Sequence, residues 1–250
     1  MDEGPEFTVE AALNAHVARV EEPRPPDGKW HPSSLYGCSR KAVYELRGVP
    51  VSNPPDDRAR RVFRVGHMFH DFAQDAVERA IGSLVAKAYR EIPIAIPSLS
   101  VIGHADGLVQ YRTGEWELLE YKSISTMGLK YAKELPKPDH LGQVQTYMLA
   151  LREDGAPRID IPPLGDALTR ARVAYIGKED MAISEHIVPW TPEGDQAVRD
   201  TVAGVEAYRD TEPALPPRLE PDKGKRNWLC GYCSFATRCW DQDEDNREAL

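Results

Sequence analysis

The chain has 250 residues, of which 41% are hydrophobic and 28% charged, and its formal net charge is −9. That length and balance fit one elaborated globular domain, or a core with a small appendage, and exclude a disordered chain. An acidic balance excludes a uniformly positive surface, so contact with nucleic acid has to come from local basic patches. No apolar run reaches 18 residues, so no membrane-spanning helix is expected. The start, Met1 to Glu6, lacks the basic-then-apolar order of a signal peptide, and a cytoplasmic protein is expected.

Residues 7–20 read as a short amphipathic helix, followed by a proline-rich connector from Glu22 to Pro26. Ser33 and Ser34 have the chemistry of N-caps for a helix over Leu35 to Arg47, which Gly48 and Pro50 end. Pro54-Pro55-Asp56 opens a longer helix running to about Ile81, with Val62, Val65, Phe69, Phe72, Ala76 and Ala80 at helical spacing. Three strands follow: Val85 to Ile96, Leu99 to Tyr111 with an interruption at Gly103, and Trp116 to Ser123 after a Thr113-Gly114 turn. A helix over about Asp139 to Leu151 comes next, then strands at Arg172 to Gly177 and Ile183 to Val188. Thr191-Pro192-Glu193 starts a last long helix to about Asp210, and a proline-rich stretch, Glu212 to Pro221, leads to a cysteine cluster. This order predicts an α/β fold with a mixed central sheet flanked by helices. The expected division is an N-terminal helical segment over 1–55, a core over 56–210 and a C-terminal segment over 211–250, packed as one compact unit.

Chemistry concentrates in four places. Gly103-His104-Ala105-Asp106-Gly107 lies in the second strand, Glu120-Tyr121-Lys122 near the end of the third, and His70 on the preceding helix. Residues two apart on a strand share a face, so Glu120 and Lys122 stand side by side and the neighbouring strand can bring Asp106 to them. Two carboxylates and an imidazole suit Mg²⁺ or Mn²⁺, the ions that phosphodiester hydrolysis uses. Cross-strand salt bridges are the structural alternative for the same residues. Glu120 lies in an apolar run, Leu118-Leu119-Glu120-Tyr121, and a buried carboxylate needs a cation as partner. On the next helix Gln143 and Tyr147 are four apart and share a face with His140, beside an apolar face of Leu141, Val144, Met148 and Leu151. That polar face can donate to a phosphate or to metal ligands.

His70, Gly103-x-x-Asp106, Glu120-Tyr121-Lys122 and Gln143-x-x-x-Tyr147 stand in an order that resembles the RecB-like members of the PD-(D/E)XK superfamily. The resemblance implies the restriction-endonuclease-like core of those metal-dependent DNA nucleases. It implies metal ligation by His70, Asp106, Glu120 and the Tyr121 carbonyl, and catalytic roles for Asp106, Glu120 and Lys122. Gln143 and Tyr147 are implied to support the site or touch DNA. Glu120 stands where many members carry Asp, an alternation the motif permits.

Cys230-x-x-Cys233 and Cys239 form a close triplet, with Cys38 about 190 residues earlier. Disulfides are unexpected in a cytosolic chain. Four soft ligands suit an iron–sulfur cluster or tetrahedral Zn²⁺, and only one C-x2-C pair is present, where structural zinc sites usually take two. The resemblance extends here to a subset of RecB-like nucleases: the CRISPR-adaptation exonucleases, their phage relatives and AddB-type nuclease domains. Ser33-Ser34-Leu35-x-x-Cys38-Ser39-Arg40 looks like their first-cysteine segment and the triplet like their closing one, which implies a [4Fe-4S] cluster on Cys38, Cys230, Cys233 and Cys239.

The expectation is therefore a Mg²⁺- or Mn²⁺-dependent exonuclease acting on single-stranded DNA or DNA ends, in recombination, repair or phage replication. A non-catalytic, cluster-stapled DNA-binding adaptor is the second reading and a sequence-specific endonuclease the third. Two basic patches, Arg58-Arg60-Arg61-Arg64 and Lys223-Lys225-Arg226, and the lysines Lys130, Lys133 and Lys137 are candidate phosphate contacts or plain solvated surface. Trp30, Tyr36, Tyr131 and Trp228 are candidates for core packing or for stacking on bases.

Overall fold

The computed structural model describes residues 8–20, 25–131, 136–221 and 225–242. In chain order these form α1 (Val9–Val20), α2 (Pro32–Leu35), α3 (Ser39–Leu46), α4 (Asp57–Arg79), β1 (Lys87–Ile96), β2 (Val101–Gln110), β3 (Trp116–Ile124), α5 (Thr126–Tyr131), α6 (Pro138–Glu153), β4 (Leu168–Gly177), β5 (Ile183–Pro189) and α7 (Pro192–Glu206). They pack as two compact units. One takes in the described parts of Met1–Pro25, Val49–Met68 and Leu219–Leu250, the other Pro26–Gly48 and Phe69–Arg218.

The larger unit is built on one mixed five-stranded sheet in the order β1-β2-β3-β4-β5. Only β3 and β4 run parallel, and the crossover between them carries α5 and α6; the other neighbours are antiparallel. One sheet face, with Leu118 on β3 and Val173 on β4, joins α6, α7, α2 and α3 in the main core. α6 is almost wholly buried from Gly142 to Leu151, so it is an interior helix rather than a surface one with a single apolar stripe. The opposite face holds a smaller cluster, Val85, Val109, Leu119, Tyr121 and Ala174, under Ala73 and Val77 of α4. β3 is buried along both faces, as a strand between two layers must be.

Several element boundaries differ from expectation. Helix Leu35–Arg47 is two helices, broken at Tyr36-Gly37-Cys38. Cys38 is extended (φ −151°, ψ 112°) at the N-cap of α3, while Ser33 and Ser34 lie inside α2, whose first turn begins with Pro32 after His31. β2 runs unbroken through Gly103, which pairs with Ile94. The absence of a side chain there leaves room for Pro32 and Tyr147, since a Cβ would stand 3.1 Å from Pro32 Cδ and 3.5 Å from Tyr147 Cε1. Leu99 belongs to a 3₁₀ turn, Pro97–Leu99, not to the strand. β4 starts four residues earlier than expected, and α7 stops at Glu206, where Arg209 turns back onto Glu206 Oε1 at 2.5 Å. α5 was unexpected.

In the smaller unit, Arg61 of α4 donates to Asn14 of α1. The C-terminal segment is tied to the 52–53 turn: Ser52 and Asn53 amides both donate to the Ser234 carbonyl, and Thr237 N donates to Asn53 Oδ1 at 2.8 Å. Phe235 is buried behind these bonds. Among the described residues no helix is long and apolar enough to cross a membrane.

Candidate active site

The site forms where two strands of the sheet part. β2 and β3 pair only from Gln110↔Trp116 to Gly107↔Leu119. Beyond that point β2 stays with β1 and β3 stays with β4, which leaves a fork between the two. The Asp106 carboxylate stands at its apex, where Oδ2 accepts the Tyr121 backbone N–H at 2.8 Å. Gly107 permits the close approach, since a Cβ there would meet Leu119 Cβ at 3.2 Å and the Tyr121 hydroxyl at 3.4 Å. The Gly-x-x-Asp-Gly spacing thus places an acid between two closely packed glycines.

Glu120 sits on the other arm, facing α6, and is 1% exposed. Lys122, two residues on, meets its Oε1 at 2.6 Å. Lys122 Nζ also donates to Gln143 Oε1 at 2.9 Å, and Gln143 Nε2 donates to the Tyr147 hydroxyl at 2.9 Å. A chain from Glu120 through Lys122 and Gln143 to Tyr147 therefore locks the ammonium in place. Burial, and then the Asp106 charge, push the Glu120 carboxyl up to about 7 against the pull of Lys122. Burial works against the Lys122 ammonium, but Glu120 outweighs it and leaves the amine above its ordinary value.

His70 brings the third candidate ligand. Its Nδ1 lies 3.5 Å from Asp106 Oδ1, and its ring meets Tyr121 edge-on at 6.2 Å. Burial disfavours the imidazolium, yet Asp106 outweighs burial and raises the His70 pKa. One turn along α4, Gln74 is buried and donates to the Asp106 carbonyl at 2.9 Å and to Glu91 Oε1 at 3.0 Å. Gln74 and Glu91 escaped the sequence reading. Gln74 lies four residues after His70, a spacing that could have flagged it; Glu91 gave no signal until its left-handed backbone (φ 48°) was seen.

His70, Asp106, Glu120, Lys122, Gln143 and Tyr147 are therefore linked by direct contacts or by charge across one fork. Among the described residues, no three His, Cys, Asp or Glu side chains stand close enough together to hold a metal ion as they are. The donor chemistry nonetheless fits a divalent cation. Glu120 Oε2 is buried with no hydrogen-bond partner, beside a second carboxylate and an imidazole.

None of the four cysteines is in a disulfide, and all are half-buried. Cys230, Cys233 and Cys239 lie in the smaller unit and Cys38 in the larger. Phe235 N–H donates to Cys233 Sγ at 3.4 Å, the type of bond that tunes a ligating thiolate. Of the basic patches, Arg60 pairs with Asp57 at 3.7 Å and Arg226 with Asp241 at 3.1 Å. Lys223, Lys133 and the Tyr131 side chain lie outside the described residues. Trp30 is a core residue whose Nε1 donates to Glu206 Oε2 at 2.5 Å, and Tyr36 bonds Thr146, whereas Trp228 is exposed.

The sequence profile of the PD-(D/E)XK nuclease superfamily matches residues 76–240, well over half of the chain. The chain belongs to the PD-(D/E)XK nuclease superfamily. The crystal structure of SSO0001 superposes with a TM-score of 0.57 at 16% identity, covering 93% of this chain and 96% of that one. An alkaline exonuclease (LHK-Exo) from Laribacter hongkongensis gives a TM-score of 0.48 at 17% identity, covering 73% and 88%. At such identities the likeness to SSO0001 shows the fold. No curated protein matches the chain in sequence.

Proposed function

We propose that this chain is a Mg²⁺- or Mn²⁺-dependent deoxyribonuclease that works on single-stranded DNA or from DNA ends, in recombination, repair or phage replication. The observation that carries the reading is the buried, partnerless Glu120 Oε2, set where Asp106, His70 and Lys122 meet. His70, Asp106, Glu120 and the Tyr121 carbonyl are the proposed ligands. A divalent ion held there supplies a Lewis acid for the phosphoryl group and the departing oxygen.

The chain's own residues do the rest. The Tyr121 N–H fixes the Asp106 carboxylate. Lys122, held by Glu120 and Gln143, presents its one remaining N–H to the attacking water and offsets the charge that builds on phosphorus. Water oxygen adds to phosphorus and gives up a proton to solvent, the P–O bond to the neighbouring nucleoside breaks, and the leaving oxygen takes a proton from solvent. Preference for ends rests on the ordered motif set and its resemblance to RecB-like exonucleases. The same resemblance, with the N–H···S bond to Cys233, supports a [4Fe-4S] cluster on Cys38, Cys230, Cys233 and Cys239, with zinc as the alternative occupant.

The test uses end-labelled linear DNA and covalently closed circles with Mn²⁺. Linear strands should be degraded and circles spared, and Asp106→Asn or Lys122→Ala should lower the rate by about a hundredfold or more. Full activity in either variant removes the site. Cutting of circles removes the preference for ends, and binding without cleavage makes the chain an adaptor.

A further inference from the structure

α4 turns Ala73, Gln74 and Val77 towards the sheet, yet its longest apolar stripe runs elsewhere. Val62, Val65, Phe69, Phe72 and Ala76 recur at alternating intervals of three and four residues, the spacing of a seam between two helices. Most of that stripe lies in the open: Val62 is 46% exposed, Val65 40% and Phe72 61%, with Met68 at 56% beside them, while Phe69 between them is half-buried. A contiguous apolar strip of this kind marks an interaction surface.

The charges on the same helix indicate what covers it. The first half carries Arg58, Arg60, Arg61 and Arg64 against Asp57 alone; the second carries Asp71, Asp75 and Glu78 against Arg79 alone. Arg61, Met68 and Asp75 follow one another at seven-residue steps, along one edge of the seam. If an identical helix is laid antiparallel about a two-fold axis at Met68, Arg61 faces Asp75 of the second copy, and Asp75 faces its Arg61. The same alignment sets Val62 on Phe72 and Val65 on Phe69. A parallel alignment would set arginine against arginine. The other edge carries Ala59 and Gly66, small enough for close approach of two backbones. The pattern complements itself, as a two-fold interface requires.

We propose that α4 is a self-association surface through which two copies of this chain pair antiparallel. Within one chain Arg61 reaches Asn14 and, at 3.9 Å, Glu10, while Asp75 meets Arg90 at 3.1 Å. The two ion pairs are largely exposed and of small worth, and an opposite charge across the seam can share or replace them. His70 lies about a third of a turn round the helix from the seam, so pairing leaves it facing the fork. The proposal does not rest on the nuclease reading.

Light scattering over a concentration series tests it. The mass should rise from that of one 28.0 kDa chain to twice that value. Phe72→Glu, at an exposed position, should keep the circular-dichroism spectrum and hold the chain as a monomer. Arg61→Glu or Asp75→Arg alone should each raise the dimer dissociation constant about tenfold, because two facing pairs turn repulsive. The double variant should return it towards the wild-type value. A monomer at every concentration, a dimer indifferent to Phe72→Glu, or a double variant as weak as the single ones each overturns the proposal.

Discussion

His140 lies one turn before Gln143, and its Nδ1 is 2.7 Å from the Tyr175 hydroxyl. Lys122 of β3, Tyr175 of β4, Asp139 beside it on α6 and Lys137 at the N-cap of α6 are the polar groups around the ring. Burial, and then the Lys122 ammonium, hold its pKa down from 6.5 to about 4, with Lys137 adding to this and Asp139 opposing it. The unfolded chain therefore takes up a proton here before the folded chain does. Stability contributed at this position is complete above pH 6.5 and declines as the pH falls towards about 4. His140→Asn should flatten that part of the profile in urea unfolding measured at a series of pH values. An unchanged slope in the variant would rule out His140 as its source.

At the scale of elements, α6 and the Tyr36 segment after α2 meet through a glycine. A Cβ at Gly142 would collide with the Tyr36 ring, and Tyr36 is fixed by a 2.6 Å bond to Thr146. Gly142→Ala should destabilise the fold by about 1–3 kcal/mol. Gly204 on α7 has open space around it, and Gly204→Ala should stabilise by about 0.4–1 kcal/mol. Denaturant midpoints of the two variants moving in the same direction would refute this account.

The sequence was readable where an element's signal is local. The proline-capped starts of α6 and α7 and the apolar runs of β2 and β3 declare themselves within a dozen residues. What stayed hidden depends on partners far along the chain. Glu117 is completely buried because Arg170 and Arg172, more than 50 residues later, reach it together with Tyr111. In isolation it reads as an ordinary polar position in a strand. The helical spacing of Val62 to Ala76 correctly gave α4, but it gave no hint that the buried side would be the one with Gln74. Of the site, the motif residues were legible as types in order. The fork that gathers them is a matter of where pairing stops, which no residue announces.

For the whole molecule, the cysteine proposal has the widest consequence, because Cys38 and the C-terminal triplet lie about 190 residues apart in the chain. Anaerobically purified protein should be brown and carry about four irons per chain, and Cys230→Ser should lose both colour and thermal stability, since a cluster contributes to folding. A colourless protein with stoichiometric zinc would replace the cluster by a zinc site and leave the nuclease reading standing.

The parting of β2 from β3 also governs how the proposed chemistry can be tuned. Asp106 and Glu120 ride on separate arms, each braced from outside by a further strand, so the gap between the acids is set by sheet curvature and not by the pose of a surface loop. Pro32 and Tyr147 lie beside one arm at Gly103. Bulk added at that remote contact would act as a shim, respacing the acids without altering either of them.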